Sequence, residues 1–228
     1  KDKVRLIWVY PAHMTFAEGM FAMPLLHAYK QQRTHRYGIW IRYLRGDMRL
    51  MMSLKPSSFT WFAADWTSYD SSIPAWLIRD AFAILRDNFD FSKYYEQGVP
   101  TDDSTLPRLW KTIIDYFINT PLQFQDGQVL VKNRGVPSGS YFTSLIDSVV
   151  NTLVLHYLMA KMGVTYSNVA FWVLGDDALM AINGTLEVNE LSAIAARTFG
   201  LMLSSTKTEI SQYPSFLGFK FHYTGVPQ

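Results

Sequence analysis

The sequence predicts an α+β fold in which a small antiparallel sheet is backed by helices. Two apolar segments, 168–174 and 178–182, are typical of β-strands, and the Gly-Asp-Asp tripeptide between them favours a hairpin. A third apolar segment, 59–66, predicts another strand. A long helix is predicted from about 140 to 161, ending at Gly163.

The remaining elements follow from periodicity and from the residues that begin and end them. Thr15 and Glu18 have the spacing of a capping box, and Pro24 is expected to kink or split the helix that they open. Asp126-Gly127 lies between alternating residues and predicts a hairpin with a type I′ turn. The other predicted elements are loop and short strand over 38–52, helices over 74–89, around 109–117 and over 187–199, and a strand or hairpin over 216–223.

Composition is that of an ordinary globular protein and excludes several kinds of site. The chain has 228 residues, 49% of them hydrophobic and 18% charged. It has no cysteine, which rules out disulfides, thiolate zinc sites and cysteine nucleophiles. No signal segment is visible, and polar residues interrupt the longest apolar run, so no membrane span is expected. Because the chain opens on Lys1 without an initiator methionine, it is expected to be a fragment of a longer polypeptide.

The net charge of +2 is unevenly distributed along the chain. Residues 1–60 hold ten Lys or Arg and three Asp or Glu, whereas residues 61–228 hold eleven and sixteen. A basic segment can bind RNA and nucleotide phosphates, and an acidic segment can bind metal ions. A solvated surface is the alternative for the arginines of the basic segment.

Gly175-Asp176-Asp177 is the strongest chemical signal. Two adjacent carboxylates at a hairpin tip repel each other unless a cation neutralises them, and a divalent ion is the usual partner. Asp65 lies at the end of the 59–66 strand, so it would converge with Asp176 if the two strands pair. Asp70 follows five residues later.

The order of these segments resembles the palm of viral RNA-dependent RNA polymerases. The 59–70 segment is similar to motif A of that family, the loop and helix from Gly135 to motif B, and Gly175-Asp176-Asp177 to motif C. Residues 1–7 resemble motif F, 199–207 motif D and 216–221 motif E. The surrounding residues, notably 3–11 and 144–148, are most like partitivirus and picobirnavirus polymerases, which copy double-stranded RNA genomes.

The resemblance implies RNA-templated RNA synthesis with two Mg²⁺ or Mn²⁺ ions. Asp65 and Asp176 are the predicted metal ligands, and Asp177 is a supporting carboxylate. Lys207 matches the motif D lysine that protonates the leaving pyrophosphate, with a plain surface lysine as the alternative.

The resemblance also implies a set of residues that bind the incoming nucleotide. Asp147 stands where the family usually has Asn, and a carboxylate only accepts hydrogen bonds whereas Asn also donates. Asn151 could supply the missing amide, or could make a buried hydrogen bond on the helix face. Ser138 or Ser140 could cap the helix, either instead of a contact with a ligand or together with it. The predicted nucleotide-binding residues are Lys3, Arg5, Asp70, Ser138, Gly139, Thr143, Asp147 and Asn151.

The predicted division of the chain is a fingers segment (1–58), the motif A strand and helix (59–90), a fingers insertion (91–134) and the palm motifs B to E (135–228), without a thumb. Expected partners are the RNA template and product strand and ribonucleoside triphosphates, with capsid protein as a further candidate and no membrane; the expected location is the virion and the host cytoplasm.

Rival interpretations are a reverse transcriptase-like polymerase, which Asp70 disfavours because that family has an aromatic residue there, and a non-catalytic RNA-binding fragment.

Overall fold

A computed structural model describes residues 9–32, 36–94, 98–100 and 102–221. The helices are α1 Ala12–Gln31, α2 Asp47–Ser53, α3 Tyr69–Ser72, α4 Ala75–Arg86, α5 Thr105–Ile118, α6 Thr143–Met162 and α7 Val188–Phe199. The strands are β1 Thr60–Ala64, β2 Trp66–Thr67, β3 Pro121–Gln123, β4 Val129–Val131, β5 Thr165–Leu174, β6 Asp177–Asn183, β7 Met202–Leu203, β8 Glu209–Ser211, β9 Ser215–Phe216 and β10 Phe219–Lys220. Short 3₁₀ helices cover Gly38–Trp40 and Tyr43–Arg45.

The centre of the fold is an antiparallel sheet of four strands in the order β5-β6-β1-β8. β5 and β6 form the predicted hairpin, and β1 pairs with β6 from Thr60 opposite Ile182 to Ala64 opposite Ala178. The predicted α+β class, with its small antiparallel sheet backed by helices, is confirmed.

Both faces of the sheet are buried, which explains why its strands are almost continuously apolar. Phe62, Met180 and Ile182 face a large helical layer built around α4, α5 and α6. Trp61 and Trp172 face a smaller layer that contains α2 and the β9–β10 hairpin. Within the described ranges, no helix combines the length and the apolar character that crossing a membrane requires.

The predicted capping box at the start of the first helix is wrong. α1 begins at Ala12, after Pro11, and the Thr15 hydroxyl lies inside the helix, where it donates to the Pro11 carbonyl at 3.2 Å. Glu18 is buried and makes tertiary contacts instead of a local one. Pro24 does not split the helix, which runs on to Gln31.

Three other local predictions are corrected. Residues 38–52 were expected to be loop and short strand, but they form the two 3₁₀ helices and α2, because buried Asp47 accepts hydrogen bonds from the Arg42 backbone and side chain at 2.9 and 3.0 Å. The β3–β4 hairpin has a three-residue loop with Gly127 at φ 84°, instead of a two-residue type I′ turn. α4 ends at Arg86, three residues before the expected Phe89.

Candidate active site

The predicted metal ligands lie at one end of the central sheet. Leu174 pairs with Asp177, so Gly175 and Asp176 form a two-residue turn between β5 and β6. Gly175 has a φ of 65°, which a residue with a side chain rarely adopts. Ala64 pairs with Ala178 near the start of β6, and Asp65 is the next residue after Ala64. The strand pairing therefore brings Asp65 beside the Asp176-Asp177 turn.

The three carboxylates are close enough for their charges to repel one another. Burial raises the pKa of Asp177 to about 6, and the negative charges of Asp176 and Asp65 add to the shift. Asp65 Oδ1 is screened from solvent and has no hydrogen-bond partner in the described part of the chain. It faces Lys207 Nζ at 3.6 Å, which is an ion pair but too long for a hydrogen bond.

Lys207 reaches the site from a turn that is tied to the end of β1. The Ser204 amide donates to the Asp65 carbonyl at 2.8 Å, and the Thr208 hydroxyl lies 3.3 Å from both the amide and the carbonyl of Asp65. The Lys207 side chain is 66% exposed, so its pairing with Asp65 contributes little to stability. The turn therefore places an exposed cation next to the carboxylates.

The donor set fits a hard divalent cation held in an open site. In the ranges that the structure describes, no three His, Asp or Glu side chains are arranged to hold a metal ion together. Mg²⁺ usually takes one or two protein carboxylates and completes its shell with water and substrate phosphates. The candidates for those two ligands are Asp65, whose Oδ1 accepts no hydrogen bond among the described residues, and Asp176, whose side chain is exposed.

The loop before α6 packs against the segment that carries Asp70. The Gly135 amide donates to the Ile73 carbonyl at 2.7 Å, and the Val136 amide donates to the Asp70 carbonyl at 2.8 Å. Gly135 has a φ of 74°, and a Cβ there would lie 2.7 Å from the Asp70 carbonyl oxygen. Only glycine allows this close approach.

Ser138 and Gly139 lie in the next turn of that loop. The Thr143 hydroxyl donates to the Pro137 carbonyl at 2.6 Å and closes the turn. Ser138 is exposed, and no side-chain hydrogen bond caps the start of α6. Ser138 therefore does not cap α6. Ser140 Oγ accepts a hydrogen bond from the amide of Phe142, the residue that precedes α6, at 3.0 Å, which is not a cap of the helix itself.

Glu18 anchors the same loop from α1. Its carboxylate accepts hydrogen bonds from the Ser140 hydroxyl at 2.7 Å, the Tyr141 amide at 2.9 Å and the Tyr10 hydroxyl at 2.8 Å. The side chain is fully buried, which raises its pKa, while the three hydrogen bonds act in the opposite direction. A residue that the sequence suggested as a local cap is thus the anchor of a distant loop.

Asp70 and Asp147 lie near each other beside the turn. Asp70 is exposed in α3, whereas Asp147 is 4% exposed in α6 and its Oδ1 has no hydrogen-bond partner among the described residues. Burial, and then the charges of Asp70 and Asp176, raise the pKa of Asp147 well above its ordinary value. A carboxyl group held in its protonated form can donate as well as accept a hydrogen bond.

Asn151 occupies a structural position. It is completely buried, and its amide nitrogen donates to the Gly175 and Asp176 carbonyls at 3.1 and 2.9 Å. Its oxygen accepts from the Trp66 indole at 3.0 Å. Of the two alternatives for Asn151, the geometry favours the buried hydrogen bond, because no donor is left for a ribose. Lys3 and Arg5 lie outside the described residues.

Sequence reasoning did not single out Ser148. Its hydroxyl accepts a hydrogen bond from the Gly175 amide at 2.8 Å. The spacing of Ser148 and Asn151, three residues apart on a predicted helix, puts both on one face and could have drawn attention to them. No spacing could have indicated which backbone they contact.

Comparison with known proteins agrees with this geometry. Residues 1–225 match the family model described as viral RNA-dependent RNA polymerase. The chain is 32% identical to the RNA-directed RNA polymerase of Cryptosporidium parvum virus 1 (strain KSU-1), over 91% of this chain and 38% of that protein. It is 24% identical to the RNA-directed RNA polymerase of White clover cryptic virus 1, over 83% of this chain and 33% of that protein.

A solved structure shares the fold. The RNA-dependent RNA polymerase of a human picobirnavirus superposes with a TM-score of 0.78 at 19% identity, covering 99% of this chain and 42% of that one. The chain thus spans well under half the length of these relatives. The resemblance to picobirnavirus polymerases expected from the sequence is confirmed, and this chain belongs to the viral RNA-dependent RNA polymerase family.

Proposed function

We propose that the protein containing this chain synthesises RNA on an RNA template, by nucleotidyl transfer at Asp65, Asp176 and Asp177. The observation that carries the proposal is the convergence of these carboxylates at one end of the sheet, where burial, and then the charges of Asp176 and Asp65, raise the pKa of Asp177. Carboxylates kept close in spite of their repulsion are expected where divalent cations bind.

Asp65 and Asp176 would hold two Mg²⁺ or Mn²⁺ ions, with Asp177 in support. Such ions stabilise the attacking and leaving oxygens of a phosphoryl transfer. Lys207 is the proposed proton donor to the leaving pyrophosphate. Its ammonium group is exposed and lies 3.6 Å from Asp65, so it can reach a phosphate that binds at the carboxylates.

Asp70 and Asp147 are the proposed contacts to the ribose of the incoming nucleotide. Asp147 in its protonated form can donate a hydrogen bond, which restores the capacity that the family's asparagine would have. Ser138, Gly139 and Thr143 shape the loop that borders this position. Lys3 and Arg5 remain the predicted contacts to the triphosphate.

The proposed substrates are ribonucleoside triphosphates and an RNA template, which suit the basic first 60 residues. We propose further that the enzyme replicates and transcribes a double-stranded RNA virus genome, in the virion and the host cytoplasm. Capsid protein is a candidate partner there.

The test is RNA-templated incorporation of nucleotides by the full-length polymerase. Asp65→Asn and Asp176→Asn are expected to lower the rate by at least about two to three orders of magnitude, because each removes a charge that stabilises the transferring phosphate through its metal. Asp80→Asn, at an exposed position of α4, is the matched control and is expected to leave the rate unchanged. Retained activity in either site variant, with the control unaffected, would refute the assignment.

The same assay separates the rival functions. Preference for deoxyribonucleotides over ribonucleotides would indicate a reverse transcriptase. Binding of RNA without metal and without incorporation would indicate a non-catalytic RNA-binding protein.

A further inference from the structure

The Gly175-Asp176 turn is held from behind by α6. The Gly175 amide donates to Ser148 Oγ at 2.8 Å. Asn151 Nδ2 donates to the carbonyls of Gly175 and Asp176 at 3.1 and 2.9 Å. Three of the turn's backbone groups therefore bind two side chains that lie one helical turn apart.

Every donor hydrogen of these two side chains is used. Ser148 donates its single hydroxyl hydrogen to the Ser144 carbonyl at 2.6 Å, so it acts only as an acceptor toward Gly175. Asn151 donates both amide hydrogens to the turn, and its oxygen accepts a hydrogen bond from Trp66. Their exposed fractions are 3% and 0%, which leaves no surface for a substrate.

Trp66 extends the network to the other metal ligand. It directly follows Asp65 in the chain, and its indole nitrogen donates to Asn151 Oδ1 at 3.0 Å. Asn151 is therefore a bridge between the residue after Asp65 and the backbone of Asp176. Asp65 directly follows β1 and Asp176 directly precedes β6, which are neighbouring strands, and this bridge adds a second connection between the two residues besides the sheet.

We propose that Ser148, Asn151 and Trp66 are positioning residues that set the separation of Asp65 and Asp176 and thereby the affinity of the site for divalent metal. The inference rests on the proposed role of Asp65 and Asp176 as metal ligands. Groups that orient metal ligands without touching the metal commonly change its affinity by about 10- to 100-fold when they are removed.

The test measures Mn²⁺ binding to the full-length polymerase by electron paramagnetic resonance of the free ion. Ser148→Ala is expected to raise the dissociation constant about tenfold, and Asn151→Ala by more, up to about a hundredfold. Saturating Mn²⁺ is expected to restore much of the kcat of nucleotide incorporation in Ser148→Ala. A role in folding alone would lower the melting temperature without a defect that metal corrects.

Thr152→Val is the matched control. The Thr152 hydroxyl makes the same kind of bond within α6, to the Ser148 carbonyl at 2.8 Å, but makes no hydrogen bond to the turn. Its Mn²⁺ affinity is expected to match that of the unmodified protein, because the Thr152 hydroxyl does not bind the turn that carries Asp176.

If Asn151→Ala fails to fold, Ser148→Ala and Trp66→Phe decide the question. Unchanged Mn²⁺ affinity in both would overturn the proposal. Mn²⁺ binding by Asp65→Asn and Asp176→Asn then shows whether only the positioning role is wrong or the proposed metal site itself is wrong. If these variants also bind Mn²⁺ normally, the carboxylates are not the metal site.

Discussion

Two loops beside the site are held in opposite ways. The Gly175-Asp176 turn is supported by neutral side chains, Ser148 and Asn151. The loop before α6 is supported by a buried carboxylate, Glu18, which accepts three hydrogen bonds.

The difference follows from what each loop carries. The turn carries Asp176 and leads into Asp177, whose pKa has already risen to about 6, so a further negative charge behind it would oppose their ionisation. A positive charge there would compete with a metal ion. The other loop offers only hydroxyl and backbone groups, and a carboxylate gives them stronger hydrogen bonds than a neutral acceptor would.

The largest effect on stability is expected at Glu18. Glu18→Ala leaves the Ser140 hydroxyl, the Tyr141 amide and the Tyr10 hydroxyl without their acceptor, and is expected to lower the free energy of unfolding by about 2–3 kcal/mol. Urea denaturation measures it. Glu190→Ala, at an exposed position in α7, is the control and should cost no more than about 0.5 kcal/mol. Equal losses in the two variants would show that Glu18 anchors nothing.

An effect of intermediate size on the free energy of unfolding is expected at Asp177, where substitution should stabilise the protein. Because the folded-state pKa of Asp177 is raised from 3.8 to about 6, its contribution to stability is full below pH 3.8 and is lost as the pH rises through 6. In metal-free buffer at pH 7.5, Asp177→Asn should therefore be more stable than the unmodified protein by about 1–2 kcal/mol, after discounting for solvent screening. The difference should shrink toward pH 4. A pH-independent difference would contradict this account.

Magnesium sharpens the contrast between the two carboxylates. Added Mg²⁺ should reduce or reverse the advantage of Asp177→Asn, because it neutralises the repulsion in the unmodified site. The pKa of Glu18 is raised by burial and not by neighbouring carboxylates. The stability that the protein loses as Glu18 ionises with rising pH should therefore not respond to Mg²⁺. Comparing Glu18→Gln with the unmodified protein across pH, with and without Mg²⁺, measures this.

The smallest effect on stability is expected at Lys207. Lys207→Met should change the free energy of unfolding by less than about 0.5 kcal/mol, because an exposed ion pair contributes little. As a proton donor, however, Lys207 should matter for the rate, and nucleotide incorporation is expected to fall by about a hundredfold. Lys111→Met, exposed in α5, is the control for both measurements. An unaffected rate would leave Lys207 as a surface lysine.

Local signals in the sequence were sufficient where the structure depends on local rules. The apolar strands, the Gly175 turn, and the helix ends at Gly163 and Gly200 each have a sequence pattern, and each was found. Local rules failed at Thr15 and Glu18, where capping-box spacing was present but the helix began earlier. A buried carboxylate satisfied by distant donors outweighs a possible cap of about 1 kcal/mol.

The sequence by itself determined the fold class and the positions of Asp65, Asp176 and Asp177 at strand ends, because apolar runs and the residues that end them are encoded within a few neighbouring residues. It determined the family through the order of its motifs. Only the tertiary structure decided that Asn151 binds the Gly175 turn and that Glu18 binds the loop before α6. These partners are 24 and 122 residues apart in the chain. A buried polar side chain must bind whichever groups the packed core brings within reach, and no local pattern specifies them.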